Sequence, residues 1–481
     1  MHIVLYILDA LRADHLGCYG YERETSPNID ALCTDGVMFE NCFTSSTWTR
    51  PVAASILTGT YPGVHRTRSR HDAFSTDLPR LPQVLQANGF KTAAFSTMGN
   101  IASEIGFDRG FDSYFDLFLN PDVLSKRRKM DPTEEGLLHI FDQEIALPRA
   151  EDINDYLFPW IKERRDNDTF CFIWSIETHV PYTAPREYVR FSGDSYLRPN
   201  EGEREDVRNA GAADRQRLVN LYDDEIYYND HCIGQIIDYY KTQGIFDNTI
   251  FFILGDHGDA FYEHGVYAHG HTPYDELIHV PMIIKLQNNQ YAGQRHGALI
   301  ELIDIFPTII GETGIHSEAV EHSFLQGKDV TTLLNGTDKD WRDYVFSDTQ
   351  MMDVQNHYMS VRGYKWKYIQ IQQPERSRKT VLDTLRYVIE RHRIFNILRS
   401  PRHFIRNYFV KSNEYLFDLE NDPGEQNNIA NDHPEKIAHF KQVIENWQQE
   451  NDELSERFRM VSHNFDESEI LRQHLEKLGY L

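Results

Sequence analysis

The sequence is short of positive charge and of long apolar runs. Its 481 residues include 74 acidic and 49 basic side chains, which gives a formal net charge of −25. A surface of that sign disfavours nucleic-acid binding, so we expect no nucleic-acid partner. The sequence contains no run of about 18 apolar residues, the length that a membrane-spanning helix requires.

Cysteine is also scarce. The five cysteines are scattered without the spacing of a metal site, and an odd count is typical of a reducing compartment. The apolar segment 2–8 is too short for a signal peptide and predicts a buried strand instead. These features favour a cytoplasmic location.

Apolar runs alternate with amphipathic segments along the first 335 residues. We predict strands at 3–8, 91–96, 169–176, 250–254 and 280–284, and helices at 27–33, 78–88, 152–165 and 218–242. This alternation predicts an α/β catalytic domain over 1–335, with a large mixed, mostly parallel sheet sandwiched by helices.

The character of the chain changes after residue 335. Short segments typical of antiparallel strands and a long helix at 434–457 predict a smaller C-terminal α+β domain over 336–481. Within it, residues 376–411 carry ten basic and two acidic side chains. Contact with an anionic membrane surface is one interpretation of this segment, but a solvated helical insertion is favoured.

A polar run that becomes apolar at 45–59 predicts a short helix with Thr49 at its N-terminus. Pro51 suits the first helical turn, and Gly59 suits the helix end. A threonine hydroxyl at this position could become an alkoxide nucleophile if a metal ion lowered its pKa. The alternative is that Thr49 only caps a structural helix.

Several potential ligands follow predicted strands directly. In parallel sheets, ligands bind at the carboxyl ends of the strands. Asp9, Asp256 and His257, together with the Thr49 hydroxyl, form a suitable ligand set for one divalent cation, either Ca²⁺, Mn²⁺, Zn²⁺ or Mg²⁺. His179, His269 or His271 could supply the general acid for a leaving group.

Longer motifs carry a family resemblance that covers nearly the whole chain. They are Leu8–Gly20, Thr25–Asp30, Gly36–Glu40, Leu57–Pro62, Gly255–Gly258, Thr272–Glu276 and Tyr415–Glu425. With these motifs the sequence resembles the sulfatase family of the alkaline phosphatase superfamily. The resemblance implies that family's fold, places Thr49 at the nucleophile position, and assigns Gly255–Gly258 together with Thr272–Glu276 to the second metal segment.

The sequence also departs from the family pattern. Family sulfatases carry a cysteine or serine that is converted to formylglycine, but this position holds Thr49, and Ala53 replaces the motif arginine. Ala10 replaces the second N-terminal aspartate. Residues 97–100 replace a lysine–tryptophan–histidine segment that contacts sulfate, and His269 falls near the position of a catalytic lysine.

These departures direct the functional prediction. Threonine cannot become formylglycine, and a threonine nucleophile resembles that of nucleotide pyrophosphatases/phosphodiesterases of the same superfamily. We expect a hydrolase or transferase acting on a phosphate mono- or diester of a small molecule, glycan or lipid. Sulfate-ester hydrolysis without formylglycine is the first alternative, and a non-catalytic relative is the second.

Three further side chains are candidates for binding substrate oxygens. Arg12 and Arg50 offer guanidinium groups that suit bidentate contacts, and Asn100 offers an amide. For Arg12, a structural salt bridge is an equal alternative.

Overall fold

The computed structural model describes most of the chain. The described residues are 1–74, 77–128, 147–180, 182–193, 212–316, 324–351, 356–373, 413–459 and 468–478. The predicted basic insertion at 376–411 lies outside these residues.

The first two thirds of the chain alternates between strands and helices, as the sequence predicts. In chain order the elements are β1 (His2–Leu8), α1 (Pro27–Asp35), β2 (Val37–Phe43), α2 (Thr49–Thr58), α3 (Pro62–His65), α4 (Leu81–Ala87), β3 (Lys91–Ser96), β4 (Ser113–Asp116), α5 (Pro121–Arg128), α6 (Ala150–Arg164), β5 (Thr169–Ser175), α7 (Ala212–Thr242), β6 (Thr249–Gly255), β7 (Ala260–Phe261), β8 (Tyr267–Ala268), α8 (Asp275–Ile278), β9 (His279–Lys285), β10 (Gln294–Glu301), α9 (Ile305–Thr313) and α10 (Val330–Leu334).

The main sheet has eight strands in the order β10-β2-β9-β6-β1-β5-β3-β4. All neighbouring strands are parallel except β9, which runs antiparallel to both β2 and β6. The expected large, mostly parallel sheet is therefore confirmed. Strands β1, β5 and β6 lie in its centre and are buried along their whole length, as their continuous apolar sequences predict.

Three strands of this sheet were not predicted from the sequence. They are β2, β4 and β10, all of which lie at the edge of the sheet or next to its edge strand. Polar residues interrupt the apolar run of β2 at Glu40 and Asn41, and the first half of β10 is largely exposed. Because edge strands bury less apolar surface, their sequences carry a weaker pattern.

The C-terminal region contains a second sheet, which confirms the predicted smaller α+β unit. Its elements are β11 (Val345–Thr349), β12 (His357–Arg362), β13 (Trp366–Gln372), β14 (Glu414–Asp418), α11 (Pro434–Ser455) and α12 (Glu469–Lys477). The four strands form an antiparallel sheet in sequence order. Helix α11 packs on this sheet through Phe440, Ile444 and Trp447.

The final helix returns to the larger unit. Leu471 and Leu475 of α12 belong to the core that covers one face of the eight-stranded sheet. His474 stacks on Phe118 with 4.5 Å between ring centroids. Within the described residues, no helix is long and apolar enough to cross a membrane.

Candidate active site

The centre of the sheet brings the predicted ligands together. Leu8 of β1 is in register with Ser175 of β5 on one side and with Gly255 of β6 on the other. The three strands are parallel, so the residues that follow them emerge at the same edge. Asp9 and Asp256 are therefore neighbours although they lie far apart in the sequence. The hydrogen bond from Ala10 to Asp256 links residues that are 246 positions apart.

The backbone turns sharply immediately after Asp9. Ala10 has a φ of 61°, which is unfavourable for a residue with a Cβ. Its N–H donates to Asp256 Oδ1 at 2.8 Å, and its carbonyl accepts from the Tyr222 hydroxyl at 2.7 Å. These bonds hold a strained turn in place, and such strain concentrates at functional sites.

Asp9, Asp256 and His257 form a completely buried triad. Each offers a ligand atom, and these atoms lie within 4.8 Å of one another. Asp256 Oδ1 accepts the N–H groups of Ala10 and His257, both at 2.8 Å. Asp9 Oδ1 and Asp256 Oδ2 are buried and have no hydrogen-bond partner among the described residues.

The ring of His257 is oriented as a ligand. Its Nδ1 lies 3.0 Å from the Gly258 carbonyl, which can only accept, so Nδ1 carries the proton. Nε2 therefore presents its lone pair to Asp256 Oδ2 at 3.3 Å and to Asp9 Oδ1 at 3.8 Å. Three electron-rich atoms facing one another are unfavourable unless a cation lies between them.

The electrostatics of the triad lead to the same conclusion. Burial raises the pKa of Asp9 to about 8 and raises the pKa of Asp256 well above its usual range. Burial, assisted by nearby His269, lowers the pKa of His257 to about 3. A bound divalent cation would favour the ionised carboxylates and the neutral imidazole that this site contains, so the residues fit a metal ion.

Thr49 lies beside this triad at the first residue of α2. Its Oγ1 donates to Asp9 Oδ2 at 3.4 Å and lies 3.4 Å from His257 Nε2. Helix α2 is buried along its whole length and ends at Gly59, whose φ of 65° suits a glycine. The helix therefore positions the hydroxyl rigidly and directs its N-terminus at the site.

Two of the three predicted acid–base histidines also lie in this site. The His269 ring lies 4.4 Å from that of His257 and 4.8 Å from that of His179, measured between centroids. His179 Nδ1 lies 2.5 Å from the Val180 carbonyl, so this nitrogen carries the proton. His271 instead directs Nε2 at the Ala268 carbonyl, at 3.0 Å.

The three predicted substrate ligands differ in their surroundings. Asn100 lies in the turn Gly99–Ile101 after β3, is 1% exposed, and neither of its amide atoms has a hydrogen-bond partner within the described part of the chain. Arg12 forms a bidentate pair with Asp14 and a further pair with Glu263. Arg50 donates to the carbonyls of Arg70 and Asp72. The structure therefore places both arginines in protein contacts.

The acidic residues of segment 272–276 form ion pairs with other side chains. Asp275 pairs with Lys367 at 2.8 Å and with Arg362 at 3.3 Å. Glu276 lies 2.7 Å from His264 Nδ1. Asp275 thereby joins the two sheets of the protein, because Lys367 and Arg362 belong to the C-terminal sheet. In the part of the chain that is described, the ligand triad includes neither Asp275 nor Glu276.

Sequence reasoning missed two residues of the site. Trp174 Nε1 donates to Asp9 Oδ2 at 2.8 Å, which fixes that carboxylate. Asp259 Oδ1 lies 2.6 Å from His269 Nδ1. Trp174 looks like part of an apolar strand in the sequence, whereas Asp259 could have been noticed because it is three residues beyond Asp256.

Comparison with known proteins identifies the family. Residues 1–315 match the family described as Sulfatase. An arylsulfatase of Clostridium perfringens is 23% identical over 496 residues, which cover 92% of this chain and 93% of the relative. An iduronate 2-sulfatase of Mus musculus is 24% identical over 385 residues, covering 66% of this chain and 69% of the relative.

A solved structure supports the same fold. The phosphonate monoester hydrolase of Agrobacterium radiobacter superposes with a TM-score of 0.70 at 18% identity and covers 94% of this chain and 96% of that chain. Because the family match extends over well more than half of the sequence, the chain belongs to the sulfatase family, whose members are hydrolases acting on ester bonds.

Proposed function

We propose that this protein hydrolyses a phosphate mono- or diester of a small molecule or glycan, with Thr49 as the nucleophile at a single divalent metal site. The observation that carries the proposal is the position of the Thr49 hydroxyl. It lies 3.4 Å from both Asp9 Oδ2 and His257 Nε2, within a buried triad that suits a cation.

Asp9, Asp256 and His257 would hold the metal ion, with the Thr49 oxygen as a further ligand. Their mixed oxygen and nitrogen donors accommodate Ca²⁺, Mn²⁺, Zn²⁺ or Mg²⁺. Such an ion, when bound, lowers the pKa of the threonine hydroxyl and neutralises negative charge on the ester.

The protein's own residues take part in each step of the exchange. Thr49 Oγ1, which its hydrogen bond to Asp9 Oδ2 orients, attacks phosphorus and releases its proton to solvent water. The bond to the leaving oxygen breaks as a histidine beside the site, His179 or His269, donates a proton to that oxygen. Water then attacks the phosphothreonine, that histidine accepts the proton of the water, and Thr49 recovers a proton from solvent.

Asn100 is suited to hold a non-bridging oxygen of the ester. Its amide is buried without a partner among the described side chains and backbone groups. Since unpaired buried amide groups are costly, a substrate oxygen that accepts from Nδ2 would remove part of that cost.

The identity of the nucleophile favours phosphate over sulfate. Thr49 has no route to formylglycine, so it lacks the second hydroxyl of the aldehyde hydrate, through which a sulfate group is expelled. A sulfothreonine would need a separate cleavage step, whereas a phosphothreonine is cleaved by attack of water at phosphorus. The phosphonate monoester hydrolase of the same architecture makes a phosphorus ester a reasonable substrate class.

Sulfate-ester hydrolysis by unmodified Thr49 is the second candidate. It is supported by the similarity to an arylsulfatase along 92% of this chain. A side-by-side assay of an aryl phosphate, an aryl phosphodiester, an aryl phosphonate monoester and an aryl sulfate distinguishes the two candidates.

We expect the phosphorus esters to be hydrolysed faster, and Thr49→Ser to retain activity as the matched control for Thr49→Ala. Accurate-mass analysis of a trapped Thr49 adduct should show a phosphoryl group. Preferential sulfate hydrolysis that is lost in Thr49→Ala would contradict the phosphate proposal. Purified protein that binds no divalent metal and cleaves none of the four esters would identify a non-catalytic relative.

A further inference from the structure

A buried carboxylate outside the metal triad contacts one of the two histidines proposed to donate the leaving-group proton. Asp259 Oδ1 lies 2.6 Å from His269 Nδ1, and the Asp259 side chain is completely buried. His269 in turn lies against His257, with 4.4 Å between ring centroids. Asp259 is thus connected to the candidate active site by its contact with His269, and it is not a member of the ligand triad.

Asp259 is itself firmly held. The Tyr182 hydroxyl donates to Asp259 Oδ2 at 2.7 Å, and Arg12 Nη1 donates to the Asp259 carbonyl at 3.0 Å. One carboxylate oxygen is thereby committed to tyrosine and the other to histidine. This arrangement differs from that of His179 and His271, whose rings contact backbone carbonyls.

An imidazole acts as a directional proton donor only if its ring orientation and tautomer are fixed. Asp259 accepts from Nδ1, so it selects the form of His269 in which Nδ1 carries a proton and Nε2 is the atom that exchanges a proton with a substrate.

We propose that Asp259 is a positioning residue that makes His269 the general acid for the leaving group. This inference rests on the proposed function and makes a choice between its two candidate histidines. As the bond from phosphorus to the leaving oxygen breaks, its electron pair stays on that oxygen, which takes the Nε2 proton. His269 becomes neutral and keeps its Nδ1 proton directed at Asp259.

The test compares two aryl phosphates that differ in their need for protonation. A 4-nitrophenyl ester has a good leaving group, and a phenyl ester has a poor one. We expect Asp259→Ala to lower kcat for the phenyl ester by about 10²-fold, in the range of general acid catalysis, and to change kcat for the nitrophenyl ester much less. Asp259→Asn retains an acceptor for the Nδ1–H group of His269, so its kcat for the phenyl ester should fall less than that of Asp259→Ala.

His269→Ala should lower kcat for the phenyl ester in the same selective way. The double variant with Asp259→Ala and His269→Ala should have a kcat close to that of His269→Ala alone, because the two residues act as a unit. Asp348→Asn is the matched control. Asp348 is also buried and lies 2.6 Å from a histidine, His357, in the C-terminal sheet. Its substitution should lower the melting temperature and leave the ratio of the two substrates unchanged.

The role of Asp259 would be overturned if Asp259→Ala lowered kcat equally for both esters. It would also be overturned if the effects of Asp259→Ala and His269→Ala on kcat were fully additive in the double variant. If Thr49→Ala is inactive at the same time, the proposed function stands and only the positioning role fails. If the wild-type protein cleaves neither of these esters nor the aryl phosphodiester, the proposed function fails and this inference fails with it.

Discussion

Two pairs of carboxylates illustrate opposite ways of placing negative charge inside this protein. Asp275 and Glu425 lie between the two sheets and share the completely buried Lys367, whose Nζ is 2.8 Å from Asp275 and 2.7 Å from Glu425. Asp9 and Asp256 lie at the centre of the main sheet. Among the described residues, their ion-pair contacts are with His257 alone.

The pKa values of Asp275 and Asp9 follow this difference, although burial still raises the pKa of Glu425 to about 7. Burial raises the pKa of Asp275, but Lys367 and Arg362 outweigh it, and the net pKa lies below its usual range. No such cation opposes the rise of the pKa of Asp9 to about 8. The chain supplies its own cation where it needs stability. At the candidate active site, we expect a metal ion from solution to fill that role.

The largest expected effect is a loss of activity without a loss of stability. Thr49→Ala removes the proposed nucleophile, so we expect kcat to fall by about 10⁴-fold or more, as in enzymes that lose a nucleophile. Thr49 carries no charge, so the melting temperature and the metal content should change little. Activity assays and elemental analysis of the variant test this, with Thr49→Ser as the control. A variant that keeps a tenth of wild-type activity would rule out the nucleophile.

Lys367→Met should have the reverse effect. It leaves Asp275 and Glu425 buried without Lys367, and breaking a buried ion pair in this way costs about 3–5 kcal/mol. Chemical denaturation measures the loss, and kcat of the folded fraction should remain close to that of wild type. Lys365→Met is the matched control, because Lys365 pairs with Glu420 at the surface, where solvent screens the two charges, so its loss should lower stability much less. If Lys367→Met and Lys365→Met lowered the free energy of unfolding by similar amounts, the proposed contrast between the buried ion pair and the candidate active site would not hold.

Asp256→Asn tests whether the carboxylates of the triad depend on a bound metal ion for their stabilisation. Without metal, the substitution removes a buried carboxyl group that has no cationic side chain beside it, and the amide oxygen can still accept both backbone N–H groups. We therefore expect the metal-free variant to be at least as stable as the metal-free wild type. Wild type should gain about 2.7 kcal/mol at a metal concentration of 100 times Kd, and the variant should gain almost nothing.

The same substitution in the other pair provides the comparison. Asp275→Asn should lower the melting temperature both with and without metal, because Lys367 and Arg362 lose a charged partner. If Asp256→Asn destabilises the metal-free protein as much as Asp275→Asn does, the triad is an ordinary structural network.

The sequence predicted the ligands of the site better than their supports. Asp9, Asp256 and His257 follow central strands whose apolar runs are unmistakable, and Pro51 and Gly59 mark the helix that begins at Thr49. These are local signals. The antiparallel direction of β9 has no such signal, because a buried apolar strand has the same composition in either direction.

Long-range partners could not be predicted either. Asp275 belongs to a motif that the family resemblance assigned to metal binding, but its partner Lys367 lies 92 residues away. Arg50 is next to the proposed nucleophile, but its guanidinium contacts carbonyls 20 and 22 residues further along the chain. Such pairings depend on how the elements pack, which no short pattern encodes.

The last expected effect is a dependence of stability on pH that metal reverses. The pKa of Asp9 is about 8 in the folded metal-free protein and about 3.9 in an unfolded chain. Between these values Asp9 holds more protons in the folded state, so its contribution to stability is greatest below pH 4 and declines as the pH rises to 8. A bound metal ion competes with those protons, so the stability it adds grows over the same range. Melting temperatures measured from pH 5 to 8, with and without metal, should therefore diverge as the pH rises, and Asp256→Asn should remove most of the divergence. Curves that stay parallel would mean that metal binding does not involve these carboxylates.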